Sequence, residues 1–143
     1  MSDLTFLQLV QLCTILIGFL GVGVSLRSHR RQMHAQMYIE FSSRMHNVLR
    51  MLPAAAWGGE LPPRHEELTK TCMQCFHIIG DLYRLHLDGY ITPGLWKPWQ
   101  RGIRRALRRP ILQREWHVIE ENFDHDPELC GFIRRMIADS RRH

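Results

Sequence analysis

The sequence predicts an all-α protein: one N-terminal transmembrane helix that continues into a small cytoplasmic bundle of about five helices. Three observations carry that prediction. Leu4 to Leu26 is an unbroken run of 23 residues without a charge, whereas the mean hydropathy of the whole chain is only −0.24. Beyond this run, apolar residues recur at spacings of three and four, the period of a helix with one buried face. No stretch alternates with the period of two that marks a half-buried strand.

The apolar run sets the first element. At 1.5 Å rise per residue, about 20 residues cross a hydrocarbon core about 30 Å thick. The flanking charges are unequal: Asp3 precedes the run, and Arg27, Arg30 and Arg31 follow it. Arginines beside a span stay in the cytoplasm, so the expected topology puts the N-terminus outside and the remainder inside. A cleaved signal peptide would need a basic start and an apolar run of about 7–15 residues, and this sequence has neither. The expected domains are a transmembrane anchor at 1–26 and a basic helical cytoplasmic domain at 27–143.

No Gly or Pro interrupts Arg27 to Leu52, and Met33, Met37, Phe41, Met45, Val48 and Leu52 form one helical stripe. A single helix is therefore expected from Leu4 to Leu52, stopped by Pro53. Residues 53–63, rich in Pro and Gly, read as a loop. A second helix runs from about Arg64 to Asp88, burying Leu68, Cys72, Cys75, Phe76, Ile79, Leu82 and Tyr83. Gly89 ends it in the left-handed conformation, with Tyr90 or Ile91 covering the end. Thr92-Pro93 is a helix start; the third helix carries Leu95, Trp96, Trp99, Ile103 and Leu107, with Pro98 as a kink point. Pro110 opens a fourth, with Leu112, Trp116, Ile119 and Phe123 on one face. Asp126-Pro127 opens a fifth, carrying Leu129, Phe132, Ile133, Met136 and Ile137.

Three features bear on function. Gln11, Thr14, Gly18, Gly21 and Ser25 share an arc of about 80° on the span, and small residues of that kind let two membrane helices approach closely. This is the expected self-association face. Arg101, Arg104, Arg105 and Arg108 share one face of the third helix, opposite its tryptophans. That face reads as solvated and partly paired with Glu120, Glu121 or Asp124; anionic lipid headgroups or a phosphate-bearing ligand are the competing readings. Cys72-Met73-Gln74-Cys75 is a CxxC inside a helix. It has no second pair to complete a zinc site, and Phe76 stands where haem attachment needs His, so the cysteines read as core.

Asp3 aside, the chain holds 19 basic and 13 acidic side chains, a net charge of +6. Phosphate-binding Gly loops, nucleophile elbows, HExxH and paired-carboxylate spacings are all missing from the sequence. The nine histidines are scattered. The expectation is a protein without catalytic activity, cofactor or metal.

Tyr38 to Arg44 (YIEFSSR), Phe76 to Trp99 (FHIIGDLYRLHLDGYITPGLWKPW) and Arg114 to Ile133 (REWHVIEENFDHDPELCGFI), with the apolar start and its Arg-rich exit, form a pattern over nearly the whole chain. It resembles a family of uncharacterised bacterial proteins with one N-terminal span and a helical cytoplasmic domain. The resemblance implies the same architecture, a place in the bacterial inner membrane, and no catalytic residues; the CxxC lies outside its pattern. The leading functional expectation is a membrane-anchored interaction, scaffold or signalling module. Its partners would be the bilayer, a second copy through the span, and a protein met by the third-helix arginines with Arg134, Arg135, Arg141 and Arg142. A membrane-acting effector that oligomerises and perturbs the bilayer, as in stress or phage defence, is the alternative. A binder of anionic lipid, nucleic acid or a phosphorylated ligand comes third, with nucleic acid last of these.

Overall fold

The computed structural model describes residues 2–140, less the side chains of residues 2–7, 9 and 30. Arg141 and Arg142 and the side chains of Asp3, Leu4 and Arg30 thus lie outside the described residues. All regular structure among the described residues is helical. The chain divides into two compact units, Met1–Glu40 and Phe41–His143. That boundary falls where the first helix begins to pack on other elements, whereas a boundary after residue 26 marks where the apolar run ends.

The first unit is one helical stretch, the start of α1 (Ser2–Arg50). It is long and apolar enough to cross a membrane, and nothing in its apolar window is buried. Ile17, Phe19, Leu20 and Val24 are each about two-thirds exposed or more (69%, 74%, 68% and 70%). The hydroxyl of Thr14 donates to the Val10 carbonyl at 2.9 Å, so this polar side chain is satisfied within its own helix.

The second unit opens with the last turns of α1, whose Phe41, Met45 and Val48 are half-buried. It continues through α2 (Ala54–Trp57), α3 (Glu66–Leu87), α4 (Pro93–Leu107), α5 (Pro110–Ile119) and α6 (Pro127–Ser140). α4 packs against α6, and α3 against α5. Every residue expected on the buried faces of α3, α5 and α6 is buried, except Tyr83, which is half-buried. On α4, Trp96, Trp99, Ile103 and Leu107 are buried and Leu95 is half-buried.

The ends follow local chemistry. His65 caps α3, its Nδ1 accepting from the Leu68 amide at 3.2 Å, and Glu66 and Glu67 sit in the first turn, where the helix dipole favours anions. At the other end Gly89 adopts φ +78. The Tyr90 amide reaches the Leu85 carbonyl and the Gly89 amide that of His86, a Schellman closure. Ile91 is 3% exposed and covers the end; Tyr90 is turned to solvent. α6 starts from Asp126, whose Oδ1 accepts from the Leu129 amide at 3.1 Å.

Two elements differ from the sequence expectation. The loop at 53–63 contains a one-turn helix, α2, which follows Pro53 and is closed by Gly59 at φ +86. The fourth predicted helix ends at Ile119, and Glu120–Phe123 continue as a tighter 3-10 turn. Phe123 stays buried because that turn keeps it against Trp116, 5.6 Å between ring centroids. Pro98 lies inside α4, which runs through it. Being six residues into the helix, it withdraws the hydrogen bond to the Gly94 carbonyl and sets its ring against that carbonyl. At Gly80 a Cβ would meet Leu129 Cδ2 at 2.9 Å, so the glycine makes room for α6 beside α3.

Candidate functional site

The basic face of α4 is the most concentrated charge in the second unit, and its frame is aromatic. Trp96 stacks on His86 (4.3 Å between centroids, 6° between planes) and lies against Tyr83 and Phe132. Tyr83 and Phe132 stack at 4.3 Å. Trp99 meets Phe41 edge-on at 6.4 Å. With its tryptophans buried, α4 turns the opposite side outward. Arg101, Arg105 and Arg108 are exposed and Arg104 is half-buried, with its Nε enclosed and unpartnered.

Lys97, also exposed, joins them. At 100° per residue, the five cations fall within an arc of about 100°. The sequence around them holds no counter-charge: from Gly89 to Arg114 there are 26 residues with seven cations and no acid. The expected pairing with Glu120, Glu121 or Asp124 is not formed. Glu120 is engaged by Arg134 of α6, because α6 packs beside the 3-10 turn that carries it. Among the described residues no ion pair reaches any of the five. Three of them are favourably placed in themselves, since Arg104 and Arg105 fill the last turn of α4 and Arg108 caps it, near the negative end of the dipole. Arg109, next in sequence, turns elsewhere, its guanidinium 4.3 Å over the Trp57 ring.

A second cluster is polar and closed. Glu115 on α5 is fully buried. Its Oε2 accepts from the Thr69 hydroxyl at 2.9 Å and its Oε1 from Arg114 Nε at 2.9 Å. Arg64 Nε stands 3.3 Å from the same Oε1, and Arg114 Nη1 donates to the Pro62 carbonyl at 2.7 Å. The cluster ties the loop before α3 to α3 and α5. A buried carboxylate needs such partners, because stripping its water costs several kcal/mol, roughly, if they are missing. Sequence reading missed it. The signal was there: Glu115 sits four residues from both Ile111 and Ile119, on the apolar stripe of its helix.

The cysteines of the CxxC lie within the core. Cys72 and Cys75 are 0% and 1% exposed, and burial pushes both thiols up to about 12. Thiols so raised are poor nucleophiles and poor ligands at neutral pH. Cys75 Sγ lies 3.5 Å from Met45 Sδ. His77 is exposed and packs on Phe123. Among the described residues no three His, Cys, Asp or Glu side chains gather closely enough to hold a metal ion.

In the first unit, Gln11, Thr14, Gly18, Gly21 and Ser25 are all exposed, and a Cβ at Gly18 or Gly21 would meet nothing within 4 Å. Arg27 and Arg31 are exposed just beyond them. No family model, curated protein or solved structure matches the chain.

Proposed function

We propose that the chain is a single-span membrane protein whose second unit is a cytoplasmic interaction module without catalytic activity. One observation carries this reading: the apolar surface from Val10 to Leu26 is uncovered. A globular protein does not leave such an area in water, and a bilayer is the solvent that suits a charge-free helix of this length. Arg27, Arg30 and Arg31 at one end favour the cytoplasm for the second unit. The resemblance to single-span bacterial proteins extends this to an inner membrane. The test is an alkaline carbonate wash of membranes holding the full chain, with topology reporters at each end. The chain should stay in the pellet, with the C-terminal reporter cytoplasmic. Release into the supernatant would end the reading.

A second reading rests on the open stripe at Gly18 and Gly21. Two spans meeting there would make the chain an oligomer, and an oligomer that perturbs the bilayer would act as an effector in stress or phage defence. Gly18→Ile should then abolish crosslinking within the membrane, and induction of the unaltered chain should dissipate the membrane potential. Unchanged crosslinking and harmless expression would remove this reading.

A further inference from the structure

We infer that the α4 face docks on the anionic headgroups of the membrane that holds the span. The inference rests on the anchoring reading above and adds a partner for the five cations. Lys97, Arg101, Arg104, Arg105 and Arg108 share one face, and no acid lies within the 26 residues around them. No ion pair among the described residues reaches them; Glu120 pairs with Arg134, Glu115 with Arg114 and Arg64, and Asp126 with Arg84. A face of one sign with no ion pair of its own is complementary to a surface of opposite sign.

Two such surfaces are available, a phosphate-rich leaflet and a nucleic acid. The structure favours the leaflet. Single-stranded nucleic acids are held by aromatic rings on which bases stack, and the tryptophans of α4, Trp96 and Trp99, are 7% and 8% exposed, turned into the core. A headgroup surface asks for charge without insertion, which is what this face offers. A tether to the same membrane also raises the effective concentration of that surface above that of any free polyanion.

The test uses the full chain in nanodiscs. Cys13→Ala removes the exposed thiol, and Gly94→Cys places a fluorophore on the α4 face, where the side chain has open space. Phosphatidylcholine nanodiscs are compared with ones that also contain phosphatidylglycerol, each carrying a lipid with a nitroxide headgroup as quencher. Quenching should rise with the anionic lipid and fall with added salt. The docked-to-undocked ratio should drop roughly fivefold for each cation exchanged for Gln among Lys97, Arg101, Arg105 and Arg108. Exchanging the three arginines for Lys should preserve docking, because the attraction follows charge; this variant and the salt titration decide the matter if the Gln variant does not fold. Equal quenching in the two bilayers, indifference to salt, or protection of the probe by duplex DNA or RNA in neutral nanodiscs would each overturn the inference. A chain that fails to enter neutral nanodiscs would overturn the anchoring reading, and this inference with it. A chain that enters them without an anionic preference would overturn the inference alone.

Discussion

Phe19 and Phe76 are the same side chain in opposite surroundings. Phe19, on the first unit's helix, is 74% exposed; Phe76, on α3, is 0% exposed and lies 4.8 Å from Trp116 between ring centroids. The contrast holds for whole regions. Ile and Leu are plentiful in both, but between Val10 and Leu26 they are exposed all round the helix, whereas most of those in the helices of the second unit converge on one interior. Burial on one stripe with charge on the other is how a helix joins a core; an apolar surface all round answers to an apolar solvent. The stabilities of the two regions should therefore respond to different substitutions.

The largest effect should follow from Phe76→Ala. Removing a fully buried aromatic costs about 3–5 kcal/mol through lost transfer energy and the cavity left behind. Urea unfolding of the full chain in mild detergent, followed by tryptophan fluorescence, should show a lower midpoint that corresponds to that loss of stability. Phe19→Ala should leave the same curve unmoved. If both shift it equally, the two regions are not the separate systems their burial suggests.

Next comes Ile15→Arg, at the middle of the apolar run. A charge at the centre of a span costs about 2.5–3.5 kcal/mol on insertion scales, so the carbonate-resistant fraction should fall sharply while the bundle's urea midpoint holds. A resistant fraction equal to that of the unaltered chain would contradict a lipid-embedded helix. Thr69→Val is smaller and belongs wholly to the bundle. It withdraws one of the donors to the buried Glu115 carboxylate, and should cost about 1–3 kcal/mol, the usual penalty for leaving a buried acceptor short of a partner. An unchanged midpoint would mean that water enters the Glu115 cluster.

These contrasts also separate what could be read from the sequence from what could not. Helix periods and caps are local, so the buried faces of α3, α5 and α6, the Gly89 stop and the starts at Pro93, Pro110 and Pro127 were legible from neighbours in sequence. One-turn α2 was not, because four residues are too few to show a period. Charge pairing is a matter of through-space neighbours. The α4 arginines and Glu120 sit within reach in sequence, yet Arg134 holds Glu120 because α6 packs beside it. The Thr69–Glu115 bond joins residues 46 apart, which no local window contains. Lys97 shares the arginine face by the same helical period, so a face defined by arginines alone leaves out one of its cations.

The finest distinction lies at Asp126, which does two things at once. Its Oδ1 caps α6 through the Leu129 amide, and its Oδ2 pairs with Arg84 at 2.9 Å. The cap is the larger contribution, because the Leu129 amide is one of the helix's unpaired donors and is buried, while the Arg84 side chain is 60% exposed and its pairing is screened by water. Asp126→Ala should therefore lower the bundle's stability by about 1 kcal/mol. Asp126→Asn retains a capping oxygen but loses the charge, and should stay close to the unaltered protein. The two urea midpoints decide between the contributions: if Asn costs as much as Ala, the ion pair with Arg84 is what holds the start of α6.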